Sequence, residues 1–194
     1  MEGELSLSEI VDIVQSQIIA SIKKEKDIEI ALQSNANIIF LLTGDLLSTK
    51  RYIEKINEAK KDAFIHIDFI DGLANSKTAI EFVAEIWKPR GIITTKSNLI
   101  QHAKKAGLLT VQRMFLIDRG ALKRGLEIAA RFNPDAIEVL PGIMPSVINE
   151  LTKLTPLPII AGGLVSNETE ILQGLEAGAL AISAGKRELW NVNA

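Results

Sequence analysis

Short apolar runs alternate with amphipathic stretches along almost the whole chain, and their starts recur roughly every 20–28 residues. One strand, one helix and two short loops consume about that much chain. Eight such runs, rich in Ile, Leu, Val and Ala, occupy residues 17–22, 37–42, 63–69, 91–95, 109–114, 136–140, 158–161 and 180–183. Their composition suits strands buried on both faces, as in parallel sheets covered by helices. Eight consecutive strand–helix units predict a closed parallel (β/α)8 barrel of the TIM type, an α/β fold forming a single compact domain over residues 17–194. A doubly wound open sheet is the runner-up. At 194 residues the chain is somewhat short for this barrel, so some outer helices are expected to be short or missing.

The intervening segments carry helical periodicity and punctuation. After Ser48, residues Tyr52, Ile53, Ile56 and Ala59 fall on one face. In 97–107 the apolar face is Leu99, Ile100, Ala103 and Ala106, closed by Gly107. In 167–178, Asn167 is a candidate N-cap and Glu170 completes a capping box. Ile171, Leu172 and Leu175 then face inward, and Gly178 supplies a left-handed terminator. Another helix ends at Phe132-Asn133-Pro134, because proline disfavours helical geometry in the residue before it. Residues 1–16, with Leu7, Ile10, Val11 and Val14, form either a short helix closing the barrel bottom or a loose N-terminal extension.

Composition narrows the partners. A formal net charge of −2 provides no global attraction for nucleic acid, so RNA binding would need a local basic patch. The absence of cysteine excludes disulfides, thiolate metal sites and a cysteine nucleophile. No run approaches the ~20 apolar residues of a membrane span. The start, Met1-Glu2-Gly3-Glu4, is acidic where a signal peptide is basic. A cytoplasmic protein without a membrane partner is the expectation.

In barrels of this kind chemistry sits where strands end and the next loops begin. Period two places His66 and Asp68 of the third strand on one face. The fifth strand carries Gln112-Arg113 and the sixth Glu138. If both point inward, Arg113 and Glu138 pair across neighbouring strands. His66, Asp68, Arg113 and Glu138 are thus candidates for a ligand pocket or for a self-satisfied internal network, since buried charges need partners either way.

The end of the chain carries the stronger signal. The seventh strand runs into Ala161-Gly162-Gly163-Leu164 and the eighth into Ser183-Ala184-Gly185-Lys186. Glycines let amides approach an anion closely, and loops after strands seven and eight often build a phosphate site. Gly162, Gly163, Ser183, Gly185 and Lys186 form the expected phosphate-binding set, with Lys96 after the fourth strand as a further cation. The plainer alternative is that Gly162-Gly163 only permits a tight turn. Neither loop matches a Walker or dinucleotide motif, so no nucleotide cofactor is expected; no metal site is expected either. Lys23, Lys24 and Lys26, like the basic groups at 60–61, 104–105 and 119–124, read by default as solvated surface. No aromatics interleave with them to stack bases.

Ordered blocks carry more information than any single residue. His66-Ile67-Asp68-Phe69-Ile70-Asp71-Gly72, Gly91-Ile92-Ile93-Thr94-Thr95-Lys96 and Val111-Gln112-Arg113-Met114-Phe115-Leu116-Ile117-Asp118 are followed by Ile137-Glu138-Val139-Leu140-Pro141-Gly142. Ile159-Ile160-Ala161-Gly162-Gly163-Leu164 and a final Leu189-Trp190 continue the series. In order and without large insertions, residues 17–190 resemble the glycerol-3-phosphate-responsive antiterminators of bacterial glycerol operons. The resemblance implies a barrel that binds glycerol 3-phosphate and then acts on leader mRNA to prevent premature termination, a regulator rather than an enzyme. RNA contact would then call for a homodimer to gather positive charge. Two departures bear on the effector: Ser183-Ala184-Gly185-Lys186 replaces a hydroxyl-rich Thr-Ser-Asn type segment, and Lys96 stands where arginine is expected. Lysine keeps the charge but loses the planar fork that grips phosphate, which opens the effector to other small phosphate esters. Two further readings remain: an enzyme acting on a glycerophosphodiester or phosphorylated polyol with Asp68, Glu138 and His66, and a metabolite-binding barrel with neither RNA nor catalysis.

Overall fold

The structure, a computed structural model, describes residues 9–193. Eight parallel strands close on themselves in sequence order: β1 Ile18–Ile22, β2 Ile38–Leu41, β3 Asp62–His66, β4 Gly91–Thr94, β5 Leu109–Phe115, β6 Ala136–Leu140, β7 Ile159–Gly162 and β8 Ala181–Ala184. The closing contact is β1 on β8, with Ile19 opposite Ser183 and Ala20 opposite Ala184. Closure excludes the open doubly wound sheet.

The strands are largely apolar on both faces because each face meets a different core. Ile18, Ile39, Ile65, Ile92, Ile137, Ile159 and Ile182 pack outward against the helices. Ile19, Phe40, Phe64, Ile93, Val111 and Ile160 fill the barrel interior. The outer layer is uneven, as the short chain requires. α2 (Ile28–Leu32) has five residues and α4 (Lys77–Phe82) six, the latter continued by a π turn at Val83–Trp87. After β8, among the described residues, comes a 3-10 turn, Arg187–Leu189. The fuller helices are α3 (Thr49–Glu58), α5 (Ser97–Lys105), α6 (Arg119–Phe132), α7 (Pro145–Leu154) and α8 (Glu168–Glu176).

At the N-terminal end of the strands, α1 (Glu9–Ile13) lies against the barrel interior, and Ile10 is buried with Ile38, Leu109, Ala136 and Ala181. Asn37 holds the segment in place. Its Oδ1 accepts from the amides of Gln15 (3.2 Å) and Ser16 (2.9 Å), and its Nδ2 donates to the Ile13 carbonyl at 2.8 Å. Of the segment 1–16, residues 9–16 are described; Leu7 lies outside the described residues.

Three local expectations need correction. β3 stops at His66, and residues 67–69 form a 3-10 turn, so Asp68 is not a strand residue alternating with His66. The cause is visible: the Asp68 carboxylate turns to accept hydrogen bonds from the end of β4. In α8, Ile171 and Gly174 are buried but Leu172 is exposed, because the helix approaches the barrel over Gly174. Ala59 caps α3 and is exposed rather than part of its buried face. The punctuation was otherwise readable. Asn167 Oδ1 accepts from the Glu170 amide at 3.0 Å, Asn133 ends α6 at φ 49°, and Gly178 follows α8 at φ 100°. The Glu170 carboxylate closes mainly on Ser166, accepting from its amide at 2.6 Å.

Candidate functional site

The period-two alternation that fills the interior with apolar side chains turns polar at the C-terminal rim. Arg113 and Glu138 face each other in register on β5 and β6, with Arg113 Nε 2.6 Å from Glu138 Oε2. Ser183 of β8 donates to Glu138 Oε1, also at 2.6 Å. All three side chains are buried. Both carboxylate oxygens thus have a donor, which a buried charge requires. Gly162 of β7 makes the arrangement fit: a Cβ there would sit 2.1 Å from Ser183 Oγ and 2.8 Å from Glu138 Oε1.

Above this floor lies a cavity of about 260 Å³, lined by Ser21, Lys23, Leu42, Arg113, Glu138, Leu140, Gly163, Leu164, Val165, Ser183, Gly185 and Lys186. Its upper wall is the turn after β7. Gly163 (φ 74°) and Leu164 (φ 63°) are both left-handed, a conformation open to glycine and strained for a leucine. Among the described residues, the main-chain amides of Gly163, Leu164, Gly185 and Lys186 donate to no protein acceptor. Loop amides left free beside two lysines are the parts of an anion cradle. Lys186 Nζ donates to the Ser166 carbonyl at 3.0 Å, tying the end of β8 to the loop after β7. Trp190 fixes β8 from behind: it is fully buried and its indole N–H donates to the Ala184 carbonyl at 2.8 Å.

Of the residues expected at the site, Arg113, Glu138, Gly163, Ser183, Gly185 and Lys186 line one cavity, and Gly162 shapes its floor. His66, Asp68 and Lys96 do not line it. Lys96 is exposed at the start of α5. Asp68 accepts from Thr94 Oγ1 (2.7 Å), the Thr95 amide (2.8 Å) and Thr95 Oγ1 (2.6 Å). Burial opposes its ionisation, but the Thr95 hydroxyl and amide, the Thr94 hydroxyl and neighbouring His66 outweigh that and hold its carboxyl below the usual value. His66 is fully buried, packs against the Phe69 ring at 4.2 Å, and has no hydrogen-bond partner on either ring nitrogen among the described residues. Burial, then the Arg113 charge, depress its pKa to about 3 despite the opposing pull of Asp68, so the ring stays neutral at physiological pH.

Ser21, Lys23, Leu42, Leu140, Leu164 and Val165 also line the cavity and were missed in sequence. Ser21 and Lys23 carried a usable signal: they continue the inward parity of Ile19, and a polar pair at the end of an apolar strand is the same mark that singled out Arg113 and Glu138. Among the described residues no three His, Asp or Glu side chains converge to hold a metal ion.

A family model described as glycerol-3-phosphate responsive antiterminator matches residues 18–190. The chain is 33% identical over 178 residues to an uncharacterised protein of Escherichia coli strain K12, YgcP, covering 92% of this chain and 93% of that one. The crystal structure of a glycerol uptake operon antiterminator regulatory protein from Listeria monocytogenes superposes with a TM-score of 0.87 at 33% identity, covering 91% of this chain and 95% of that one. That of a glycerol uptake operon antiterminator-related protein from Thermotoga maritima gives 0.80 at 34% identity, covering 89% and 96%.

Proposed function

The chain belongs to the glycerol-3-phosphate responsive antiterminator family, and from that premise we propose that its mouth binds glycerol 3-phosphate and that the occupied barrel acts on the leader mRNA of glycerol-utilisation genes in the cytoplasm. The observation that carries this reading is the meeting, in one cavity, of free loop amides and two lysines with a polar floor. The phosphate sits against the amides of Gly163 and Gly185, with Lys23 and Lys186 matching its charge. The glycerol hydroxyls reach down to Ser183 and the Arg113–Glu138 pair. At about 260 Å³ the cavity falls below the roughly 300–1,000 Å³ typical of drug-sized ligands, which favours a small ester over a nucleotide. His66, Asp68 and Lys96 lie outside this cavity and take no part in effector contact.

The regulator is favoured over a hydrolase by the engagement of its carboxylates. Glu138 already receives Arg113 and Ser183, and Asp68 receives Thr94 and Thr95; neither is left as a free base. Antitermination requires that the effector bind the RNA-competent state better than the other.

Calorimetry with glycerol 3-phosphate tests the effector. Saturable one-site binding without turnover is expected, with thermal stabilisation of about 2.7 kcal/mol at a hundredfold excess over Kd. Gly163→Val, which puts a β-branched side chain at φ 74° and 3.0 Å from Leu140 Cδ2, should abolish binding while leaving the far-UV spectrum unchanged. Wild-type affinity in a folded Gly163→Val protein would remove the phosphate from this loop.

A further inference from the structure

A second concavity, about 380 Å³, adjoins the mouth on its outer side. The closed barrel makes it: because β1 pairs with β8, the loop after β1 and the segment after β8 lie side by side. Lys23, Lys24 and Lys26 converge there with Lys186 and Arg187. Arg187 is ion-paired with Asp27, which staples the two segments together. Among the described residues, Lys23, Lys24 and Lys26 form no ion pair, and all three are exposed. On a chain of net charge −2, this is a local excess of positive charge, five basic side chains against Asp27 and Glu188. Lys23, Gly185 and Lys186 line both the groove and the mouth cavity.

We propose that this groove is where the protein meets the phosphodiester backbone of RNA, through Lys24 and Lys26, and that the effector controls it through Lys23 and Lys186. The inference rests on the antiterminator reading above and adds the surface and the coupling. A phosphate dianion in the mouth draws Lys23 and Lys186 inward, and so fixes the loop after β1 that carries Lys24 and Lys26. Lys24 and Lys26 are then presented to RNA with less ordering left to complete, so the effector tightens RNA binding. The nearby aromatic, Trp190, is fully buried, so the groove offers no stacking platform. Its contacts are to phosphates, independent of base identity and sensitive to salt.

Fluorescence anisotropy tests this, with a labelled leader transcript from upstream of glycerol-utilisation genes in the encoding genome and poly(U) of matched length, over a KCl series. Glycerol 3-phosphate should tighten wild-type RNA binding by between about 5- and 150-fold. The double variant Lys24→Gln/Lys26→Gln should bind both RNAs more weakly, with a logarithmic salt slope shallower by about 1.4, while its calorimetric affinity for glycerol 3-phosphate stays at the wild-type value. An effector that weakens RNA binding would mean that Lys23 and Lys186 themselves hold RNA, and would overturn the coupling. An unchanged RNA affinity and slope in the double variant would place the RNA elsewhere and leave the antiterminator reading intact. Wild-type protein that binds glycerol 3-phosphate but neither RNA at low salt would sink that reading, and the groove with it.

Discussion

Glu138 is the residue on which the barrel floor turns, because it accepts from Arg113 and Ser183 at once while buried. Removing one partner of a buried ion pair strands the other, at a cost of about 3–5 kcal/mol. Glu138→Gln should therefore lose about that much stability in urea unfolding; a loss below about 1 kcal/mol would mean that water already compensates Arg113. His66 gives a second prediction. Its folded pKa, about 3, lies below its ordinary 6.5, so between those values the unfolded chain binds the extra proton. Stability should rise with pH across that window, by at most about 1.4 kcal/mol per pH unit from this group, and be fully present above it. Asp68, also depressed, loses its contribution as pH falls from its ordinary 3.8 and its carboxylate protonates, which overlaps only the lower end of that window. His66→Gln should flatten the slope between pH 4 and 6; an unaltered slope would assign it to other groups. Arg113 and Glu138 were legible in sequence because each breaks an apolar strand at an inward position. The role of Asp68 was not, since its three hydrogen bonds come from Thr94, the last residue of another strand, and from Thr95 just beyond it.

Among the elements, α1 is short but its one buried side chain is placed where the interior would otherwise open to water. Ile10→Ala should cost about 2–5 kcal/mol, the range for truncating a packed aliphatic, read as a lowered urea midpoint at unchanged slope. A change below about 0.5 kcal/mol would show that α1 only rests on the barrel. The helices were legible wherever caps and periodicity agreed, as with Asn167, Asn133 and Gly178. Periodicity failed at Leu172 because the closest approach of α8 to the barrel is over Gly174, where a Cβ would come 2.7 Å from Ile182 Cδ1. Sequence spacing selects a face; a backbone approaching over a glycine rotates it.

At the scale of the whole molecule, closure converts eight local repeats into one rim and brings the two ends of the sheet together. The repeat period made the closed barrel readable, and the glycine loops after the last two strands marked the part of the rim where the cavity lies. The lysines after β1 looked like ordinary solvated surface until closure set them against Gly185 and Lys186. The central claim is that free amides after β7 and β8 capture the effector's phosphate. Amide chemical shifts in a 15N-labelled sample, titrated with glycerol 3-phosphate, test it most directly. The account predicts that the Gly163 and Gly185 amide protons move downfield together, with the largest changes in the molecule and one shared Kd. Saturable binding that leaves both resonances in place would contradict it.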